Sequence, residues 1–372
     1  MVVRSLAGLL PSGAAPRPFL RRSASRGFSR STSLCDDGVP AARGGSLLLQ
    51  CADSLGVVSA VSETLHGCGW NVTSADVHVE RHGGPGPPSP RDTLLCRFSF
   101  EDVGSTLRPE GPEGLEDRMR SVAGSFRSCR SSLLFDTGRH VTFRAPDSGD
   151  NDGEHTATVC EVVRPSGKCR AGIFLSKREH CLNHLLDRSR WGDLKIDIPY
   201  VVSNAERGPD HPVRRALEDA GIEYIYIRMD GRERSEWETD LRAAVSTAPD
   251  VDVLILARFM RILSPSFLSW RPPHSIVNIH HGLLPSFKGA NPYRQAYDAG
   301  VKLIGATAHF VTEDLDEGPI LEQTVDVTTH RDTVRDVRIK SEALECAALE
   351  RAVRCVTENR VGVIGQRTVV FR

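Results

Sequence analysis

No apolar run in this 372-residue chain approaches the roughly 18 residues that a membrane-spanning helix requires, so no membrane partner is expected. The ten cysteines contain no C-x-x-C pair and no metal-ligand spacing. No metal is therefore expected, and the thiols read as reduced, buried structural groups. The formal net charge of −1 leaves no basic excess for a nucleic acid or an acidic membrane surface to engage. Hydrophobic residues make up 40% and charged residues 26% of the chain, the balance of a globular protein with room for two or three domains.

A further absence sits at the start: no acidic residue precedes Asp36. Arg4, Arg17, Arg21, Arg22, Arg26 and Arg30 are instead spread among Ser, Ala and Leu. A positive, acid-free segment of this kind has the composition of an organelle transit peptide, and residues 1–34 are assigned to one. Arg26-Gly27-Phe28-Ser29 resembles a mitochondrial processing site with cleavage after Phe28. A mitochondrial destination is expected, with the chloroplast as the alternative because both addresses share this composition. The plainer alternative is a disordered basic tail.

Residues 44–130 read as a small α+β domain. Ser46–Cys51 is a strand, and Asp53-Ser54-Leu55-Gly56-Val57-Val58 turns into a helix ending at Gly67 or Gly69. Val72–Glu80 alternates as a strand, Leu94–Phe100 pairs with it after a loose loop from Gly83 to Arg91, and Leu115–Phe126 is a second helix. Residues 131–168 are polar, acidic from Asp147 to Glu154, and read as a linker with room for one extra strand around His140–Arg144.

From residue 169 onward strand and helix alternate. Strands are expected at Ala171–Leu175, Ile196–Val202, Tyr224–Ile227, Val253–Ala257, Ile304–Val311 and Ile320–Val327. Helices are expected at His180–Trp191, Pro212–Ala220, Ser235–Val245 and Thr333–Thr357, with Ser264-Pro265 and Asn291-Pro292 each offering an N-cap followed by proline. This alternation argues for a doubly wound, mostly parallel sheet.

The chemistry concentrates between Asn278 and Gly318. Ser275-Ile276-Val277 is a buried strand, and Asn278 and His280, two apart at its carboxyl end, point to the same side. Open α/β sheets place their ligands at such strand ends. An amide donor and an imidazole there, joined by Asp316 from a later loop, suit attack on a carbonyl carbon. The plain alternatives are a backbone-capping amide, a packed histidine and a turn aspartate in Leu315-Asp316-Glu317-Gly318.

The segments Ala257-Arg258-Phe259-Met260-Arg261-Ile262-Leu263, Asn278-Ile279-His280-His281-Gly282-Leu283-Leu284-Pro285, Thr307-Ala308-His309-Phe310-Val311 and Leu315-Asp316-Glu317-Gly318-Pro319 resemble the folate-dependent formyltransferase fold. The doubled His280-His281, the Gly289–Tyr293 loop, the strand Gly305–His309 and Ser176–Leu182 are similar to those of formyltetrahydrofolate deformylases. The Asp53–Val58 turn resembles that of the ACT domain, which stands in front of the catalytic domain in that family. The resemblance implies an ACT-like, ferredoxin-type α+β domain followed by a doubly wound formyltransferase domain. It implies catalysis by Asn278, His280 and Asp316, and folate contact at Met260, Arg261, Ile262, Leu263, Thr307 and His309. His309 is expected to brace Asp316. Folate is then a substrate and no bound cofactor is needed. The first module would take an amino-acid effector at Asp53, Gly56 and Val57, and a homo-oligomer is expected.

One more absence belongs to the same comparison. Relatives that formylate a ribonucleotide amine cradle its phosphate in a Gly/Ser-rich loop after the first strand. Here that place holds Ser176-Lys177-Arg178-Glu179, where Glu179 is expected to repel a phosphate. Water is then left as the acceptor. Gly282 stands where many relatives carry serine, which removes a hydroxyl beside the site.

Overall fold

A computed structural model describes residues 42–81, 92–102, 111–126, 128–137, 139–144, 158–163, 167–289 and 291–372. The expected transit peptide, the Gly83–Arg91 loop and the acidic stretch Asp147–Glu154 lie outside them.

Six strands and two helices come first: β1 (Gly44–Ala52), α1 (Val57–Gly67), β2 (Trp70–Glu80), β3 (Thr93–Asp102), α2 (Gly111–Ser125), β4 (Arg130–Phe135), β5 (Arg139–Arg144) and β6 (Thr158–Val163). They form one antiparallel sheet in the order β2-β3-β1-β4-β5-β6. Alternation drives it: Leu47, Leu49 and Cys51 of β1 turn inward, as a period of two requires. Val57, Val61 and Leu65 on α1 and Leu115, Met119 and Ala123 on α2 give each helix an apolar stripe, and both stripes pack into the same core. Trp70, Phe100 and Phe135 pack together within it, Phe100 edge to face with each of the other two and the Trp70–Phe135 pair tilted, with centroids 5.2 to 6.0 Å apart.

The described parts of residues 131–163 are strands of this sheet rather than a linker. The extra strand at His140–Arg144 is present as β5, but β4 and β6 flank it and extend the sheet. Ser131 and Ser132 gave β4 a polar look, while Ser131, Leu133 and Phe135 alternate into the core.

The second sheet holds β7 (Cys169–Leu175), β8 (Ile196–Asp197), β9 (Tyr200–Ser203), β10 (Glu223–Tyr226), β11 (Val253–Leu256), β12 (Ile276–His280), β13 (Leu303–Phe310) and β14 (Ile320–Val327). Its order is β10-β9-β7-β11-β12-β13-β14, with β8 beside β7. The helices are α3 (His180–Trp191), α4 (Pro212–Asp219), α5 (Arg234–Thr247), α6 (Pro265–Leu268), α7 (Pro292–Asp298) and α8 (Val334–Thr357). A hairpin, β15 (Val361–Ile364) and β16 (Arg367–Val370), closes the chain; it was not anticipated.

The central strands are apolar on both faces. Ile173, Val253 and Ile255 meet α3, α4 and α8 in one core, while Phe174, Leu254 and Leu256 meet Trp237 and Leu241 of α5 in another. Buried parallel strands require this two-sided cover. The pairs from β10 to β12 are parallel, and β13 and β14 run antiparallel. The expected strand Ile196–Val202 is two strands, β8 and β9, interrupted at Ile198-Pro199, where proline offers no ladder donor.

Ser264 caps α6 as expected, its hydroxyl accepting from the Phe267 N–H at 3.1 Å. Asn291 does not cap α7. It adopts φ 55°, and its side chain makes no cap bond. Thr333 and Asp336 form a capping box that starts α8.

The two sheets are tied together at the end of α8. Arg97 on β3 donates to the carbonyls of Glu358 and Asn359 at 3.4 and 3.1 Å, and the Asn359 amide donates to the Ser132 carbonyl at 2.8 Å.

Gly305 on β13 tests the packing beside the strand ends. A Cβ there would stand 2.2 Å from the Thr324 carbonyl oxygen and 2.6 Å from Leu283 Cδ2. Gly305→Ala is expected to cost about 1–3 kcal/mol, read as a lower urea midpoint. An unchanged midpoint would show that β14 yields freely.

Candidate active site

The site forms where β12 ends between a parallel neighbour, β11, and an antiparallel one, β13. The antiparallel register sets Asn278 opposite His309 and His280 opposite Thr307. Opposed residues share a face, so Asn278 Nδ2 lies 3.1 Å from His309 Nε2. His309 Nδ1 lies 2.8 Å from the Phe310 carbonyl oxygen, which can only accept. The proton therefore sits on Nδ1, and Nε2 accepts from the Asn278 amide. That fixes the amide with its nitrogen towards His309.

Asp316 arrives from the loop between β13 and β14 with φ 56°. Gly318 allows that loop to close on the strand end, since a Cβ there would meet the Phe310 carbonyl at 1.8 Å. Asp316 Oδ2 lies 3.2 Å from His280 Nδ1 and accepts from the Gly289 N–H at 3.3 Å. His280 Nε2 lies 3.0 Å from the Phe287 carbonyl oxygen. Both ring nitrogens thus face acceptors, and an imidazolium satisfies both. Burial pushes the Asp316 carboxyl up, but the contacts with His280 and His309, the His280 charge and the Gly289 N–H outweigh it and hold the group well below the usual carboxylate range.

His309 stands beside Asp316 as expected, Nε2 3.7 Å from Oδ1. That is longer than a direct hydrogen bond, and the shorter contact of the same nitrogen is with Asn278.

A cleft of about 260 Å³ opens over these groups, lined by Asn278, His280, His309 and Asp316 on one side and by Met260, Arg261, Ile262 and Leu263 on the other. Met260 and Ile262 are half exposed at its mouth. The Met260 N–H donates to Ser176 Oγ at 3.0 Å, and Arg261 pairs with Asp230. Thr307 is not brought to the cleft. It is fully buried and braces the turn after β12, donating to the Gly282 carbonyl at 2.8 Å and accepting from the Leu284 N–H at 3.1 Å. Gly282 is the close approach in that turn, as a Cβ there would stand 3.0 Å from His280 Nε2. Asp53, Gly56 and Val57 lie in the other sheet's first turn, where Val57 is spent on the core and Gly56 takes φ 86°.

Glu179 does not present the bare charge expected of it. Arg207 donates to it at 2.7 Å, and His211 stands 3.6 Å away.

Behind His280 lies a buried polar wall that the motifs did not single out. Glu345 of α8 is fully buried; it accepts from the Tyr293 hydroxyl at 2.5 Å and faces His180 Nε2 at 2.8 Å, with Arg258 Nε at 3.4 Å. The only sequence signal was charge at apolar positions, Arg258 at a strand end and Glu345 inside α8. His180, Cys181 and Glu345 bring ligand atoms within 4.8 Å of one another, a set with metal-binding chemistry. The Glu345 oxygens are already occupied, however, and Arg258 would repel a cation there. His281 packs between the wall and His280, 4.9 Å from the Tyr293 ring and 5.6 Å from the His280 ring. Burial, then the charges of Arg258 and His280, push its imidazole down to about 2.

Comparison with known proteins adds to this geometry. Residues 169–353 match the formyl transferase family. The chain is 41% identical over 327 residues to a formyltetrahydrofolate deformylase of Synechocystis sp., covering 88% of this chain and 98% of that one. It is 36% identical to formyltetrahydrofolate deformylase 2, mitochondrial, of Arabidopsis thaliana, over 87% of this chain and 86% of the relative. A crystal structure of a formyltetrahydrofolate deformylase from Pseudomonas syringae pv. tomato superposes with TM-score 0.72 at 30% identity, covering 89% of this chain and 95% of its own. A glycinamide ribonucleotide transformylase from Symbiobacterium toebii gives 0.51 at 30% identity and covers 61% of this chain.

The His281 environment makes a pH prediction. An unfolded histidine titrates near about 6.5, the folded one near about 2. Below about pH 6.5 the unfolded chain binds a proton that the folded chain refuses, so stability falls as pH falls. His281→Asn removes this term. Between pH 7 and 4.5 the wild type should lose more unfolding free energy than the variant, by up to about 1.4 kcal/mol per pH unit. Parallel slopes in urea titrations would show that the ring meets water.

Proposed function

This chain belongs to the formyltetrahydrofolate deformylases, and from that premise we propose that its cleft hydrolyses 10-formyltetrahydrofolate to tetrahydrofolate and formate through Asn278, His280 and Asp316. The observation that carries the residue roles is the contact of Asp316 with His280 across the face that Asn278 shares. Water adds to the formyl carbon, forming a C–O bond. Asn278, its amide nitrogen aimed by His309, donates to the oxyanion, and the His280 imidazolium, its N–H groups held by Asp316 and Phe287, stabilises it through its charge. Asp316 takes the proton from water and passes it to the folate nitrogen as the C–N bond breaks. Formic acid loses its own proton, leaving formate. Met260 to Leu263 form the wall that receives the folate ring, and folate is a substrate rather than a resident cofactor.

Transfer to an amine acceptor is the alternative. The deformylase structure covers most of this chain and the transformylase only part, which favours hydrolysis. Formate release from 10-formyltetrahydrofolate without any added amine separates the two.

Residues 44–130 serve as an ACT-like regulatory module in this reading. Support comes from the β-α-β-β-α-β connectivity of β1 to β4. Asp53, Gly56 and Val57 mark the turn where an amino-acid effector would dock, and the protein works as a homo-oligomer. The arginine-rich segment before Asp36 serves as a mitochondrial import signal, in keeping with the mitochondrial names of two Arabidopsis thaliana relatives.

Asp316→Asn keeps shape and removes charge. It is expected to lower kcat by about 10²-fold or more while folate affinity, measured by fluorescence titration, changes far less. Retained kcat, or loss through binding alone, would reduce Asp316 to a turn residue. A fusion of residues 1–40 to a fluorescent protein should enter mitochondria; diffuse signal would refute the import reading, and plastid signal would redirect it.

A further inference from the structure

We propose that Arg258 is the binding position for the formate that this site produces, a subsite for a small monocarboxylate apart from the groups that handle the oxyanion and the proton. The inference rests on the hydrolytic reading above. Arg258 lines the cleft with Asn278, His280 and Asp316, yet it is only 7% exposed. Its Nε and Nη1 are buried and make no hydrogen bond. Glu345 stands 3.4 Å from Nε but is satisfied by other donors, His180 and Tyr293. The guanidinium carbon lies 5.9 Å from the Tyr293 ring centroid, so an aromatic face, not an acceptor, covers part of it.

Buried N–H donors without acceptors are costly, and each such case in a native structure calls for a partner. The pairing of Nε with Glu345 accounts for the charge of Arg258 and leaves Nη1 without an acceptor. The substrate's formyl amide is neutral, whereas its hydrolysis product is an anion of one carbon. An arginine at the cleft wall therefore gains a charge-assisted acceptor only once the C–N bond has broken. Its preference for product over substrate also leaves it out of uniform substrate binding.

The test uses the full chain and sodium [13C]formate. Formate should broaden or shift in the presence of protein saturated with tetrahydrofolate, and should inhibit hydrolysis. Arg258→Gln alone strands the Glu345 charge, so Arg258→Gln is combined with Glu345→Gln, and Arg258→Lys is made as a second variant that keeps the cation. Melting curves check folding. The expected result is a formate inhibition constant raised by about tenfold or more in the double variant, an intermediate value in Arg258→Lys, and a folate KM that moves much less. An unchanged formate constant in folded double variant, or no formate binding by the wild type, overturns the proposal. Wild-type protein that binds formate but releases none from 10-formyltetrahydrofolate would leave the subsite standing and sink the hydrolytic reading.

Discussion

The contact between Asp316 and His280 is the interaction on which the site depends. It joins a loop after β13 to the last residue of β12, and the side chains of both partners are buried. A buried ion pair of this kind is tolerated when its remaining valences are filled. Here the Phe287 carbonyl and the Gly289 N–H fill them. The loop from Phe287 to Gly289 is thus held by the same pair that it completes. Gly318 lets the surrounding backbone come close where a side chain would collide, and Gly282 leaves room against the His280 ring where a Cβ would be a tight contact.

The reversal of strand direction at β12 is the second constraint. In a wholly parallel sheet, the residues opposite Asn278 and His280 would come from a strand running the same way, and its carboxyl end would lie beside theirs. With β13 antiparallel, His309 and Thr307 come back past the same level. One of them, His309, fixes an amide in the cleft. The other, Thr307, fixes the turn beneath it. Two residues on one strand face therefore do different work, one reaching into the cleft and one bracing it from behind.

Much of this was legible in the chain. The spacing of Asn278 and His280 on a buried strand carries its own geometry, because a strand has period two. Thr307 and His309 share a face for the same reason. Which partner His309 chooses was not legible, because pairing register across an antiparallel ladder is a property of two segments. Ser131 and Ser132 masked β4 by composition although every second residue was placed for burial. The Val361–Val370 hairpin had alternating apolar residues around Gly365-Gln366, a two-residue turn whose glycine takes φ 57°. Arg258 and Glu345 escaped notice because a charge in an apolar stretch shows that a partner exists without naming it.

Helix α8 has a mechanical consequence. It begins at a capping box, carries Glu345 into the polar wall behind His280, and ends where Glu358 and Asn359 grip the first sheet. Glu345 and Glu358 are 13 residues apart (358 − 345), or about 20 Å along a straight helix. A capped, well-packed helix of that length behaves as a lever arm with one end in each half of the fold. A tilt of a few degrees at the first sheet reappears at Glu345 as a displacement of about 1 Å, comparable to the tolerance of a hydrogen bond. The wall of Tyr293, His180 and Arg258 is thereby geared to the position of the sheet that β1 to β6 form.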